Sequence, residues 1–562
     1  MTTYKTPLPA LYASTRDHPS RTSLRIPREG NAELSWKDIT FTDFTKDIEA
    51  CARYWANEFL GRGIKERSVI GLWLKGSSYT DLVHIWGIYR AGFIPQLVSL
   101  KMTDPSVVYN LLKKSKAAAL IHDAGFQSVV DQSPVKAYPA EDILTSNYDH
   151  LPLPPLEMSP EAEEVIMIYH TSGSTSGIPK LVPLTAKWFD CVISKTARID
   201  EILPSTRPER VQVSIGSFSH IGSTMLLIDA ICRGSCFVLP TEIPYSNDEL
   251  QQIIIGCNDI IDQCGLTRLN MFPAFLSNVL HEARRDASLL KALQGLEYIM
   301  YGGSALDPTD EAWACSQGLH LVNVFGSTEV GVMMISEDTT NPAYLTTLPG
   351  STYEYVPLEE DTHMDEQLLE LVVVPESADC PDVSLRSSED GKFHTGDFFV
   401  EVKPGQFVAK GRNDDWIKMA MALRCDTGSI EANAMETCGD DLIDSVVVVG
   451  AGRPSPSMIV ELREGASIGP EENDTEIGHW RIKNEILFRI NPFHKRRYMH
   501  ERIDDARFIL IVPRGTLPRT ATKGNIRRKQ VEEMFKSRLD KVYKEWTMPK
   551  DSVQGNHYLI VN

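Results

Sequence analysis

The runs SVIGLWL (68–74), DLVHIWGIYRAG (81–92), FIPQLVSL (93–100), VVYNLLKKSK (107–116) and AAALIHD (117–123) alternate short β-rich apolar segments with longer mixed ones. The order reads as strand, helix, strand, helix, strand, which favours a layered α/β fold with parallel pairing. Comparable strands recur at VIMIYH (165–170), CFVLP (236–240), LEYIMYGG (296–303) and LVNVFG (321–326), and the last two run straight into glycines.

Outward from this core the pattern changes twice. LPLPPLEMSPEAEE (151–164) is rich in proline and acid and reads as a surface connection. From about residue 414, SVVVVGAG, SMIVELR and RFILIVP are strands separated by the helical segment GHWRIKNEILFRI. The expected architecture is a large N-terminal domain of layered α/β subdomains, residues 1–413, and a small mobile α+β C-terminal domain, residues 414–562.

At 562 residues the chain suggests roughly three to four packing units. The apolar content of 42% with 24% charged residues belongs to a globular protein, not a disordered one. A formal charge of −19 argues against nucleic acid as a partner, because that affinity comes from cations neutralising phosphates. No segment approaches the roughly 20 apolar residues of a membrane span, and the N-terminus lacks the order of a secretory signal, so a cytoplasmic enzyme is expected. The ten cysteines include no C-x-x-C pair and are expected to be buried, inert thiols.

After VIMIYH comes Thr171-Ser172-Gly173-Ser174-Thr175-Ser176-Gly177-Ile178-Pro179-Lys180. Such a segment offers backbone N–H groups, hydroxyl donors and one cation to a phosphate chain, with glycines allowing close approach. It is not a Walker loop, since Gly173 and Gly177 are three residues apart and Pro179 precedes Lys180. The kinase set of G-x-G-x-x-G and H-R-D is not in place either. Taken alone, the segment is also compatible with a polar surface loop between a strand and a helix.

The loop resembles the signature of the acyl-adenylating superfamily, which joins acyl-CoA synthetases, beetle luciferases and nonribosomal peptide synthetase adenylation domains. The extra residue Ser176 resembles the fungal synthetase-like carboxylic acid reductases. Further motifs follow in the family's order. Tyr301-Gly302-Gly303-Ser304-Ala305 is similar to the adenine-binding segment, and Phe325-Gly326-Ser327-Thr328-Glu329 to the aromatic-Gly-x-Thr-Glu motif. His394-Thr395-Gly396-Asp397 matches the Thr-Gly-Asp element, and Lys410-Gly411-Arg412-Asn413-Asp414-Asp415-Trp416-Ile417-Lys418 the segment joining the two domains. Leu517-Pro518-Arg519-Thr520-Ala521-Thr522-Lys523-Gly524 resembles the catalytic lysine loop, with Lys-Gly where many members read Gly-Lys.

The resemblance implies ATP and Mg²⁺ as cofactors. Thr171 through Gly177 and Lys180 would face the phosphates, together with Gly302, Gly303, Ser304, Asn323, Phe325, Gly326 and Ser327 around the nucleotide. Thr328 would hold the α-phosphate, Glu329 the metal, Asp397 and Arg412 the ribose. Asp414 would be the hinge and Lys523 the catalytic lysine, with Lys529 as the fallback. The family usually has a glycine near Ala422, and this departure bears on the second half-reaction.

The implied reaction is attack of a carboxylate on the α-phosphorus of ATP, giving an acyl-adenylate and pyrophosphate. The alternatives are a stand-alone acyl-CoA ligase and a nucleotide-binding scaffold that has lost catalysis. Amino-acid-activating relatives usually place an Asp at the start of the acid pocket; here the segment is Ser217-Phe218-Ser219-His220-Ile221-Gly222. His220, Phe272, Pro273, Gly302 and Val332 are the expected pocket residues, with His220 also among the catalytic candidates beside Thr328, Glu329 and Lys523. An aryl, polyketide-like or other non-amino acid is expected. No Leu-Gly-Gly-x-Ser carrier motif and no reductase-type Gly-x-x-Gly-x-x-Gly loop is found. If the native protein is a fungal reductase-like enzyme, the chain looks like its adenylation part; if it is complete, the expected acyl acceptor is a separate phosphopantetheinylated carrier domain or coenzyme A, and both stay open; no membrane partner is expected.

Overall fold

The computed structural model describes residues 4–28, 35–99, 102, 104–140, 143–156, 159–171, 179–214, 216–239, 261, 264–358, 367–412, 415–419, 424–466, 476–495, 497, 501–519 and 525–547. The opening alternation folds as read: β1 (Val69–Trp73), α1 (Tyr79–Arg90), β2 (Ile94–Val98), α2 (Pro105–Ser115) and β3 (Ala119–His122). β1 pairs in parallel with both β2 and β3. Helix α1 starts where it does because Ser78 and Asp81 form a capping box, and the Asp81 carboxylate also accepts the N–H groups of Gly76 and Ser77. Pro105 follows the N-cap Asp104 at the start of α2, and Lys116 ends it in the left-handed region at φ 54°.

β4 (Lys136–Pro139), β5 (Val165–His170) and β6 (Leu181–Thr185) complete a six-stranded sheet in the order β4-β3-β1-β2-β5-β6. Its interior strands are continuous apolar runs because both faces are covered. A cluster including Trp55, Phe59, Trp86 and Trp188 packs around it.

α3 (Ala186–Ile202) follows β6 and leads into a second sheet, thirteen-stranded among the described residues. At its centre β7 (Val211–Ser214), β8 (Arg268–Met271), β9 (Tyr298–Gly302) and β10 (Leu321–Ser327) are mutually parallel neighbours. α4 (Ile221–Cys232) follows β7, and β11 (Gly331–Ile335) turns back antiparallel to β10. β12 (Phe393–Lys403) and β13 (Gln406–Arg412) form an antiparallel pair farther along the sheet.

One hydrophobic cluster draws only on residues between Ile417 and Tyr543. It covers a three-stranded sheet of β14 (Ile443–Val449), β15 (Ser457–Leu462) and β16 (Ile509–Val512), onto which α5 (Glu476–His494) lays Ile482, Ile486 and Ile490 at four-residue spacing. None of the nine described cysteines is in a disulfide, and burial pushes the thiols of Cys232 and Cys236 up to about 12. Among the described residues no helix is long and apolar enough to cross a membrane.

Candidate active site

The 171–180 segment joins two antiparallel strands, not a strand and a helix. His170 pairs with Leu181, and the Thr171 N–H donates to the Lys180 carbonyl at 3.2 Å. The segment's ends are thus fastened as a hairpin stem, with Lys180 exposed; Ser172, Gly173, Ser174, Thr175, Ser176 and Gly177 lie outside the described residues.

His170 went unnoticed in the sequence. Its Nδ1 lies 2.8 Å from the Leu97 carbonyl and its Nε2 3.0 Å from Gln96 Nε2. The Gln96 amide carbonyl in turn accepts from Ser115 Oγ at 2.6 Å, so the amide nitrogen is left to donate to the ring. The imidazole is therefore neutral with its proton on Nδ1. Burial pushes it down to about 4, against the raising effect of the Leu97 carbonyl.

Ligands of open α/β sheets bind beyond the carboxyl ends of the strands. In the second sheet, four parallel strands bring their sequence-predicted residues to that one edge. Asn270 is level with Ser214 and Met300, Met271 with Tyr301, Tyr301 with Asn323, and Gly302 with Val324. The segment after β7 leads to His220, β8 ends at Phe272 and Pro273, and β9 ends at Gly302, followed by the exposed Gly303 and Ser304. Gly302 is required by space: a Cβ there would stand 2.3 Å from the Val324 carbonyl oxygen.

His220 is the N-cap of α4, its Nδ1 accepting the Gly222 N–H at 3.2 Å, and its ring meets Phe272 edge-on at 5.0 Å. Acceptance at Nδ1 leaves the proton of the neutral ring on Nε2, a donor suited to a carboxylate or carbonyl oxygen. The two sheets are linked here, because the buried Tyr169 hydroxyl of β5 bonds Thr224 of α4 at 2.7 Å.

Asn323 is held through its backbone, its N–H donating to Ser336 Oγ at 2.8 Å, and Phe325 meets Phe399 edge-on at 5.0 Å. Gly326 lies at a register shift opposite Val332, and Ser327 Oγ accepts the Val330 N–H. Thr328 and Glu329 stand half-buried at the tip of the β10–β11 hairpin. The Glu329 carbonyl accepts Trp188 Nε1 at 3.0 Å, which joins this tip to the helix that follows the hairpin stem. Val332, expected in the acid pocket, is 4% exposed and sits in a cluster with Ile199, Tyr298 and Leu348.

Asp397 and Arg412 are cross-strand partners, with Arg412 Nη1 donating to Asp397 Oδ1 at 3.1 Å and Nη2 to the Thr395 carbonyl at 3.2 Å. Asp414 lies outside the described residues. Its neighbour Asp415 accepts the Arg412 N–H at 3.0 Å and faces Arg528 at 3.4 Å. Lys523 also lies outside them; the loop that carries it is closed by a bridge between Arg519 and Ile526 and by the Arg527 N–H donating to the Pro518 carbonyl at 2.8 Å. Lys529 is exposed near the start of the helix Arg528–Met534.

Comparison with known proteins adds the lineage. Residues 12–357 match the family described as AMP-binding enzyme, and residues 414–547 match the AMP-binding enzyme C-terminal domain. The AMP-binding domain-containing enzyme iboA of Amanita muscaria is 31% identical over 509 residues, covering 88% of this chain and 95% of that protein. The carboxylic acid reductase of Neurospora crassa is 23% identical over 567 residues, covering 94% of this chain and 50% of the reductase, so the chain spans about half the length of such relatives. Among solved structures, the O-succinylbenzoate coenzyme A synthetase of Bacillus subtilis in complex with AMP shares the fold at a TM-score of 0.72 and 15% identity, over 93% of this chain and 98% of that one. An anthranilate CoA ligase in complex with anthranoyl-AMP does so at 0.69 and 16%, over 95% and 98%. With the family matched over more than half its length, the chain belongs to the AMP-binding enzyme family and is an adenylate-forming ligase.

Proposed function

We propose that the chain activates a non-amino carboxylic acid, of aryl or polyketide-like type, with ATP and then passes the acyl group to a thiol. The observation that carries this reading is the gathering of His220, Phe272, Gly302 and the Thr328-Glu329 tip at the carboxyl ends of four adjacent parallel strands. A carboxylate oxygen attacks the α-phosphorus, the bond to the pyrophosphate bridge breaks, and an acyl-adenylate forms. A thiol then attacks the acyl carbon, AMP leaves with the C–O electrons, and the thiol proton passes to solvent. An edge-on aromatic pair where an ammonium-binding Asp would otherwise stand supports an aryl acid.

Residues 1–413 would hold ATP and acid, and residues 414–562 would act as the lid, turning at Asp414. Lys523 would bridge the carboxylate and phosphate oxygens, while Asp397 and Arg412 would exchange part of their mutual pairing for the ribose. The donor set suits Mg²⁺, since one half-buried carboxylate, Glu329, with substrate phosphates is the way that hard cation is usually held. Bound there, Mg²⁺ supplies neutralisation of phosphate charge. The protein's own share is positioning and preorganised charge.

The test is acid-dependent exchange of labelled pyrophosphate into ATP across a panel of aryl, polyketide-like and amino acids. Aryl or polyketide-like acids should give the fastest exchange, and a faster amino acid overturns the substrate class. ATP binding with no exchange for any acid selects a nucleotide-binding scaffold, the reading that Ala422 and the order Lys523-Gly524 motivate. Coenzyme A and a phosphopantetheinylated carrier, offered separately, distinguish the acceptor.

A further inference from the structure

One face of α3 addresses the hairpin tip that carries Glu329. Trp188, Val192 and Lys195 are spaced by four and three residues and share that face. Trp188 Nε1 donates to the Glu329 carbonyl at 3.0 Å. Gly331 lies against the helix at φ +77°, where a Cβ would come within 2.9 Å of Val192 Cγ2 and 3.1 Å of Trp188 Cζ2. Lys195 Nζ donates to the Val332 carbonyl at 2.7 Å. The helix thus holds residues 329, 331 and 332 in turn.

Lys195 is 1% exposed and Asp379, its ion-pair partner, 0%. The three protons of the ammonium are all used, on the Val332 carbonyl, the Tyr353 hydroxyl at 2.9 Å and the Asp379 carboxylate. Asp379 accepts in addition from Tyr353, Ser377 and Ser351. A fully buried ion pair is often no more stabilising than apolar residues of similar volume. Its distinctive contribution is direction: a charged donor aimed at one carbonyl, three residues after Glu329.

We propose that Lys195 and Asp379 are positioning residues for Glu329, fixing the Ser327–Val332 turn so that the Glu329 carboxylate stands where the metal–nucleotide binds. The inference rests on the reading of Glu329 given above. Neither residue touches substrate; both act through the backbone of the turn.

The test uses Lys195→Met/Asp379→Leu, which removes both charges together, and Tyr353→Phe, which deletes two hydrogen bonds, one from Lys195 and one to Asp379, and leaves the ion pair. Thermal melting establishes folding, and pyrophosphate exchange with the best acid of the panel is followed against Mg²⁺ concentration. Because small misplacements of a reacting group are costly, the double variant should lose about 10- to 100-fold in kcat. Its KM for the acid should stay within about twofold and its Mg²⁺ requirement should rise, since the defect lies at the metal ligand.

Tyr353→Phe should shift the same two quantities by a smaller factor. Adding Glu329→Gln to the double variant should cost little more than Glu329→Gln alone, because both act on one group. A folded double variant with kcat and Mg²⁺ requirement within twofold of the parent, or losses that multiply fully with Glu329→Gln, overturns the proposal. If the double variant does not fold, Tyr353→Phe decides by the same two criteria. If the parent itself shows no exchange, the proposed function falls first. Mg²⁺-dependent ATP binding by calorimetry then reads the positioning role: loss of that dependence in the variants supports it, and its retention, or no dependence in the parent, overturns it.

Discussion

The stem of the 171–180 loop and the stem of the 519–526 loop are both closed by antiparallel backbone hydrogen bonds, yet different side chains brace them. The first is braced by neutral groups, with His170, Gln96 and Ser115 forming a chain that ends on the Leu97 carbonyl. The second is braced by charge: Arg519 Nη2 donates to Glu461 Oε2 at 3.1 Å, and the other Glu461 oxygen accepts the Leu517 N–H at 2.8 Å. Neutral networks ignore salt but fail when a member gains a proton, whereas a pair with one solvent-facing partner is screened by ions. The stem on the six-stranded sheet is thus braced by a network that salt does not screen, and the stem of the loop proposed to move with the lid rests on an interaction that solvent modulates.

The sharpest way to break this comparison is through the two loop lysines. Lys523→Ala should lower pyrophosphate exchange on the order of 10²–10³-fold, as loss of a preorganised charge stabiliser does. Lys180→Ala should cost less and act on the KM for ATP, because Lys180 stands exposed at the stem end and its backbone makes the closing hydrogen bond. Equal losses in kcat for both variants would place both lysines on the reacting atoms. If instead Lys529→Ala carries the large loss, the assignment moves to that fallback residue.

Acid gives the next effect. Burial holds both His170 and His494 down at about 4, and in His494 the nearby Arg497 adds to it. Between the unfolded value of about 6.5 and 4 the unfolded chain takes up protons that the folded chain refuses, so stability is present above pH 6.5 and is lost as pH falls. The loss approaches on the order of 3 kcal/mol for each histidine near pH 4. Urea midpoints from pH 7 to 4.5 should fall in the parent and fall less in His170→Gln and in His494→Gln. If residues 171–180 hold the phosphates as proposed, acid should also raise the KM for ATP through His170, which braces their stem, and His170→Gln should flatten that rise while His494→Gln does not. An identical rise in all three proteins removes His170 from the stem's function.

What could be read from the sequence divides along the same physical line. Buried parallel strands such as VIGLW and ALIH are continuous apolar runs, and catalytic loops need particular residue types in a particular order, so both are visible locally. LVPLT carries Pro183, which argues against a central strand, and the structure tolerates the proline because β6 is an edge strand. A loop between a strand and a helix, one reading the 171–180 segment allows by itself, gives way to a connection between two antiparallel strands. His170, Lys195 and Glu461 were missed because their roles come from partners that only topology supplies, 184 residues away in the case of Lys195 and Asp379. One signal was present: the 3.6-residue period of α3 puts Lys195 on the same face as Trp188 and Val192, an odd place for a solvated lysine.

The smallest effects test the charged stem itself. Glu461 is 1% exposed and Arg519 39%, so the two ends of this pair are not equivalent. Glu461→Gln keeps an acceptor for the Leu517 N–H but turns an amide donor toward the guanidinium, which should cost about 1–2 kcal/mol. Arg519→Met should cost less, roughly 0.5–1 kcal/mol, because water can reach the vacated side of the carboxylate and replace part of the pairing. Sodium chloride at high concentration should narrow the gap between the parent and Arg519→Met, and should leave the effect of His170→Gln unchanged. If Arg519→Met proves the costlier of the two and salt does not alter it, the pair behaves as a sealed ion pair, and the two stems are equally rigid despite their different chemistry.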